Sequence, residues 1–76
     1  LQGDSAEAYA LLAQTKMPKD RNPREGLTDA LKALELKSSS FHLYLVATAY
    51  YNVGDKAKTK EYLEKSLLID PDNTEA

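Results

Sequence analysis

Cysteine and tryptophan are absent from the 76 residues, and histidine occurs only once. Without cysteine the chain has no disulfide, no thiolate nucleophile and no cysteine metal ligand, so the redox compartment is not predicted. A single histidine, His42, excludes a metal site built on several histidines. We expect this residue at the surface or at the boundary between surface and core.

Long apolar runs are also lacking. No stretch approaches the roughly 18 apolar residues needed to cross a bilayer, and no basic start followed by an apolar core marks a signal peptide. The chain begins with Leu1 and not with methionine. We therefore expect an excerpt of a longer protein, in which a targeting segment can lie outside the given residues, and no localisation is predicted.

Neither sign of charge dominates the sequence. Ten Lys and Arg residues stand against twelve Asp and Glu, a net charge of −2, which is too weak to favour nucleic acid or an anionic membrane as the main partner. The apolar fraction of 42% and the charged fraction of 29% are ordinary for a globular chain. The length predicts one small domain, residues 1–76, that buries about 60% of its unfolded surface.

Residue sets for catalysis or cofactor binding are missing as well. No credible Ser-His-Asp set is present, and three isolated glycines form no phosphate-binding loop. The stretch DPDN at residues 70–73 lacks the glycine and the later glutamate of a calcium loop. We predict no enzyme activity, no cofactor and no metal site.

The sequence does contain four helical patterns with clear punctuation between them. The predicted helices cover residues 5–17, 23–37, 40–53 and 56–69. Residues that commonly cap helix N termini precede them: Asp4 or Ser5, Asn22, the serines at 38–40, and Asp55. Pro18 ends the first pattern because proline cannot continue a helix interior, and Gly54 suits the left-handed conformation that ends the third.

Apolar spacing assigns faces to these helices. The second helix has a buried side that includes Leu27, Ala30 and Leu31, with Asp29 and Lys32 predicted on the outer side. The third helix is the most apolar and leaves almost no polar face, which predicts a central position.

The two halves of the chain repeat each other. Residues 32–37 (KALELK) and 65–70 (KSLLID) occupy equivalent places 33 residues apart, and Tyr9, Leu12 and Ala13 match Leu43, Val46 and Ala47 at an offset of 34. The offsets differ by one because the connection at Pro18 is one residue longer than that at Gly54. Two divergent copies of one helical hairpin explain the pattern.

This period resembles the tetratricopeptide repeat (TPR), a two-helix unit of about 34 residues. In the better preserved second repeat, about 40–73, the residues in register are Leu43, Val46, Ala47, Tyr50, Gly54, Thr59, Leu63, Ser66 and Pro71. In the first, about 5–38, they are Tyr9, Leu12, Ala13, Gly26, Ala30 and Ala33, with Lys16 where Tyr is usual. Thr59 and Ser66 replace small apolar residues, which implies looser packing there.

The resemblance implies an all-α fold of antiparallel hairpins stacked as a solenoid fragment, with residues 74–76 beginning a fifth helix. It also implies a concave groove on the inner face of the first and third helices that holds a peptide or protein segment. The matching positions are Glu7, Ala10, Gln14, Met17, Phe41, Tyr44, Thr48, Tyr51 and Asn52. Aromatic side chains with polar tips suit recognition, but they equally suit packing against a neighbouring helix.

One subgroup of the family clamps the C-terminal carboxylate of chaperones with cationic side chains. The matching residues here are Ala10, Gln14, Tyr44, Leu45 and Thr48, and none is cationic. The comparison therefore disfavours that ligand.

A local basic cluster surrounds the first connection. It consists of Lys16, Lys19, Arg21 and Arg24, diluted by Asp20 and Glu25. Such a cluster is either a solvated loop or a binding edge for an acidic partner. Nucleic acid is disfavoured because the aromatic residues lie on a different helix from the cations.

We predict a non-enzymatic scaffold or adaptor that binds a partner protein or peptide of unspecified identity. One alternative is a structural or oligomerisation segment of a longer array. Because about three repeats are normally needed for stability, we expect the fragment to continue in a longer parent, to have further terminal helices or to self-associate. Another alternative is a tail-anchored adaptor resembling the mitochondrial fission receptor, a TPR pair with an irregular first repeat.

Overall fold

The computed structural model describes residues 5–69, which form four α-helices and contain no strand. The helices are α1 (Ala6–Lys16), α2 (Pro23–Leu36), α3 (Ser40–Val53) and α4 (Lys56–Ile69). This confirms the predicted all-α class and the number of helices over this range. The predictions for Asp4, for Pro71 and for a fifth helix at 74–76 lie outside the described residues.

The helices begin and end where capping chemistry places them. In each N-terminal cap a side-chain oxygen accepts a hydrogen bond from the backbone N–H three residues later. The pairs are Ser5 with Ala8 at 3.1 Å, Asn22 with Glu25 at 3.4 Å, Ser39 with His42 at 3.2 Å, and Asp55 with Lys58 at 3.1 Å. Gly54 ends α3 in the left-handed conformation, with φ of 92°, which costs glycine no steric clash.

The four helices form two antiparallel hairpins. Helix α1 packs on α2, α3 packs on α4, and α2 and, to a smaller extent, α1 contact α3. The Ser66 hydroxyl in the last turns of α4 donates to the Ser40 carbonyl at the start of α3, at 2.9 Å. The Asn52 side chain near the end of α3 donates to the Met17 carbonyl just after α1, also at 2.9 Å. Helices α1 and α3 therefore run in the same direction, side by side.

Small residues allow this close packing. The buried core consists mainly of alanines with a few larger side chains: Ala10, Ala13, Ala30, Ala33 and Ala49 with Met17, Leu45 and Val46. At Gly26 a Cβ atom would lie 3.0 Å from the Cα and N atoms of Met17. Because these are backbone atoms, any larger residue at position 26 would push the end of α1 away from α2.

Several residues lie elsewhere than predicted. Asp29 is not on an outer side, because its side chain is only 15% exposed and pairs with Lys16. Ser66 does not loosen the packing, since it is almost fully buried and bonded to α3. Met17 is buried in the core. Leu12 is 44% exposed, contrary to the packing role that the resemblance implies.

Candidate functional site

A groove follows the line where α1 and α3 lie side by side. Its first part, here called the first hollow, encloses about 500 Å³. Side chains from α1, from the start of α3 and from the connection before α3 line it: Glu7, Ala10, Leu11, Gln14, Lys37, Ser39, Phe41 and His42. The lining combines apolar, polar and charged groups.

The second hollow continues the groove toward the C-terminal ends of the two helices. It encloses about 370 Å³ and is lined by Gln14, Met17, Pro18, Phe41, Tyr44, Leu45, Thr48 and Asn52. Gln14 and Phe41 border both hollows, so the two are neighbours along the line between α1 and α3. Phe41 is 46% exposed and stands at the junction, where a ligand side chain can contact its ring.

A third hollow of about 270 Å³ lies on the other side of α3, against α4. Tyr44 and Thr48 border it as well as the second hollow, whereas Tyr51 borders only the third of these hollows. The predicted face of α3 is therefore divided. Phe41, Tyr44, Thr48 and Asn52 border the groove, and Tyr51 lies beyond the ridge that Tyr44 and Thr48 form.

Two of the predicted binding residues are held by internal hydrogen bonds. The Asn52 amide nitrogen donates to the Met17 carbonyl at 2.9 Å, and the Thr48 hydroxyl donates to the Tyr44 carbonyl at 3.0 Å. Their oxygen atoms keep the capacity to accept a hydrogen bond from a ligand. Ala10 is buried in the core, so it shapes the floor of the first hollow without reaching out of it.

His42 is buried, and the prediction of a surface or boundary position was wrong. Its Nδ1 atom lies 2.7 Å from the Lys37 carbonyl oxygen and 3.0 Å from the Ser39 hydroxyl. Because a carbonyl oxygen only accepts, Nδ1 carries the proton and donates to Lys37. The ring thereby links the connection before α3 to its first turn and borders the first hollow.

The basic cluster of the first connection is divided by its contacts. Lys16 Nζ lies 3.1 Å from Asp29 and 3.3 Å from Glu25. Hydrogen bonds to Asp29 and then to Glu25 raise the pKa of Lys16 above its ordinary value of 10.5. Lys16 therefore joins α1 to α2, and its charge is already neutralised within the fold.

Lys19 behaves differently from Lys16. Its Nζ atom lies 5.4 Å from the centre of the Tyr51 ring, a distance typical of cation–π contacts. The sequence placed the cations and the aromatic residues on separate elements, but the fold brings these two together next to the end of the groove.

Some lining residues were not predicted. Leu11 lies four residues after Glu7 and three before Gln14, so helical spacing alone places it on the same face. Lys37 and Ser39 come from a connection, where no periodic pattern exists to assign them.

Comparison of the chain with models of known families, with curated proteins and with solved structures gave no match. Within residues 5–69, no helix has both the length and the apolar character required to cross a membrane. The same residues contain no group of three or more His, Cys, Asp or Glu side chains placed to hold a metal ion.

Proposed function

We propose that this protein is a non-enzymatic interaction module that holds an extended segment of a partner protein in the groove between α1 and α3. The observation that carries the proposal is that the first and second hollows follow one another between α1 and α3 and share Gln14 and Phe41 as lining residues. Two neighbouring hollows along two parallel helices accommodate an extended chain segment better than a compact small molecule.

The packing order supports the accompanying proposal of two stacked TPR hairpins. Each helix contacts the next along the chain, and α1 also contacts α3, which is the order that the resemblance implies. In such a stack α1 and α3 form the inner layer. The groove lies on that layer, as expected for a repeat array that binds extended partners.

The exposed side chains of the groove suit a segment of mixed polarity. Phe41 and Leu11 are exposed apolar groups that gain from being covered, at about 25 cal/mol per Å² of apolar surface. Gln14, Tyr44 and Thr48 supply hydrogen-bonding groups between them. A free C-terminal carboxylate is not the proposed ligand, because Ala10, Gln14, Tyr44, Leu45 and Thr48 provide no positive charge.

Peptide selection tests the proposal directly. Random peptides displayed on phage are selected on the protein, and their affinities are measured for the wild type and for the double variant Phe41→Ala with Tyr44→Ala. We expect at least about a tenfold loss of affinity, because aromatic groups at the centre of an interface commonly contribute more than 1 kcal/mol each.

The control variant is Leu68→Ala, which shortens an exposed apolar side chain on α4 far along the chain from the groove residues. It should bind the selected peptides like the wild type. Equal affinity of all three proteins for every selected peptide, or a failure to select any peptide, would contradict the proposal.

A structural or oligomerisation role is the second candidate, and the surface of α4 favours it. Leu68 is 84% exposed and Ile69 is 59% exposed, although both are large apolar residues. This helix packs mainly on α3, so the surface is available to another hairpin or another copy of the chain. Such a contact leaves the groove between α1 and α3 open, so the two roles are compatible.

A further inference from the structure

A positive charge without an ion pair among residues 5–69, that of Lys19, lies over the Tyr51 ring, one residue after Pro18 of the second hollow. The Tyr51 ring below Lys19 is 54% exposed. The N–H of Arg21 donates to the Pro18 carbonyl at 2.9 Å, and that of Asn22 donates to the Lys16 carbonyl at 3.1 Å. These bonds fold the connection into a turn that holds Lys19 at its corner.

Contacts with the second hollow hold this turn in place. Met17 and Pro18 line the second hollow, and Asn52 holds the Met17 carbonyl. Lys19 follows directly in the sequence. A bound segment that leaves the second hollow past Pro18 therefore passes the connection that carries Lys19.

The charges around this exit are unbalanced. Lys19, Arg21 and Arg24 form no ion pair with a carboxylate of residues 5–69, whereas Lys16 has two such partners. Asp20 is the one acidic residue on the same turn. The linings of the second and third hollows contain no acidic side chain, so nothing in them competes for the cation.

We infer that the segment bound in the groove is acidic where it leaves past Pro18, with an Asp or Glu carboxylate placed at Lys19. The inference rests on the proposed function and specifies its ligand. The carboxylate pairs with an ammonium group that the Tyr51 ring already holds in position, which lowers the entropic cost of forming the pair. Arg21 and Arg24 add to the attraction during approach.

A peptide fits this exit better than a nucleic acid does. Single-stranded nucleic acids bind along basic tracks with successive aromatic side chains on which bases stack. Here one exposed ring lies beside one cation, and the adjoining hollow is lined partly by apolar groups, among them Met17, Pro18 and Leu45. Acidic peptide is therefore the class of ligand that we propose.

For the test, phage-displayed peptides are selected on the full chain in the presence of excess soluble Phe41→Ala, Tyr44→Ala double variant. Peptides that bind outside the groove are removed by the variant, so the selected peptides are those that depend on the groove. We expect an excess of Asp and Glu at one end of these peptides. Lys19→Glu should slow their association and weaken their affinity about tenfold, with a reduced dependence on salt, because charges at the rim of an interface act mainly on the association rate.

The matched control is Lys60→Glu, which makes the same charge change at an exposed position of α4 and should leave both the rate and the affinity unchanged. A smaller loss is expected for Tyr51→Leu, which keeps the charge of Lys19 but removes the ring that positions it. Circular dichroism of each variant confirms that the helices are intact.

Three outcomes would overturn the inference. Groove-dependent peptides without acidic residues, and indifferent to Lys19→Glu, would refute it while leaving the proposed function standing. Absence of any groove-dependent peptide would refute both. Lys19-dependent binding of single-stranded oligothymidine, with no binding of acidic peptides, would assign the exit to nucleic acid instead.

Discussion

Single side chains in the groove serve the fold and border the binding surface at the same time. Asn52 illustrates this, because its amide nitrogen bonds the Met17 carbonyl while the residue also borders the second hollow. Thr48 and Tyr44 are coupled in the same way through a backbone carbonyl. A substitution at these positions therefore changes stability as well as the surface that a ligand meets.

Replacement of Asn52 by Asp removes the hydrogen-bond donor but keeps the shape of the side chain, so it measures the contribution of the hydrogen bond to stability. An ionised carboxylate cannot donate to the Met17 carbonyl and repels it, so we expect a loss of about 1–3 kcal/mol of unfolding free energy at neutral pH. Urea unfolding measures this loss.

The pH dependence of Asn52→Asp gives an internal check. Repulsion raises the pKa of the new carboxyl in the folded state, so the deficit relative to wild type is full above that pKa and shrinks as the pH falls through it. Asn22→Asp is the control, since Asp caps a helix about as well as Asn. A deficit equal in both variants, or independent of pH, would contradict the assigned bond.

Residue-scale predictions failed where a contact crosses between elements. His42 lies in a helix that is apolar nearly all round, so spacing gave no sign that its ring reaches back to the Lys37 carbonyl. Asp29 was predicted on the outer side because the apolar residues of α2 mark the opposite side, but it pairs with Lys16 of the preceding helix and its side chain is only 15% exposed. Periodicity within one helix contains no information about such partners.

At the scale of the helix, the capping residues in the sequence were enough to predict where each helix begins and ends. The predicted boundaries of α3 and α4 match the observed ones. Those of α1 differ by one residue at both ends, and that of α2 differs by one residue at its C-terminal end. The agreement is this close because Ser5, Asn22, Ser39 and Asp55 act as N-terminal caps. The face of α3 was predicted less well. The TPR resemblance placed Tyr51 with Phe41 and Tyr44, but Tyr51 borders the hollow between α3 and α4 and not the second hollow.

Helix α4 offers a test of local electrostatics. A hydrogen bond from Lys65, at 3.2 Å, and next the charge of Lys58 lower the pKa of Glu61 below its ordinary value of 4.5. A lowered folded-state pKa means that the stabilisation is complete above the ordinary value and is lost as the pH falls through the lower one.

Lys65→Gln should therefore raise the pKa of Glu61 toward 4.5, as read from its side-chain carboxyl chemical shift in an NMR titration. Lys60→Gln, a matched change elsewhere on the same helix, should leave the titration of Glu61 unaltered. A Glu61 titration that is identical in the Lys65→Gln variant and the wild type would refute the pairing.

At the scale of the whole molecule, α4 is the least covered helix. Its one fully buried residue is Ser66, and α3 is its main helical neighbour. The exposed side chains of Leu68 and Ile69 leave apolar surface in water at the end of a small domain. Helical repeats normally bury such surface on the next repeat.

We expect the chain to self-associate with rising concentration, because contact between copies removes the Leu68 side chain from water. Sedimentation equilibrium should show an apparent mass above that of one chain, and Leu68→Lys should restore the mass of one chain. Leu12→Lys, which alters an exposed leucine of α1, is the control and should associate like the wild type. A single-chain mass at every concentration would contradict this prediction.

The bond between Asn52 and Met17 also bears on the order in which the molecule assembles. It joins residues 35 positions apart, whereas the helices of each hairpin are neighbours in the sequence. Closing a long loop before its contacts exist is entropically unfavourable. We therefore expect each hairpin to form first and this bond to form only when the two hairpins pack together. It marks docking of the hairpins, and its loss should act mainly by speeding their separation.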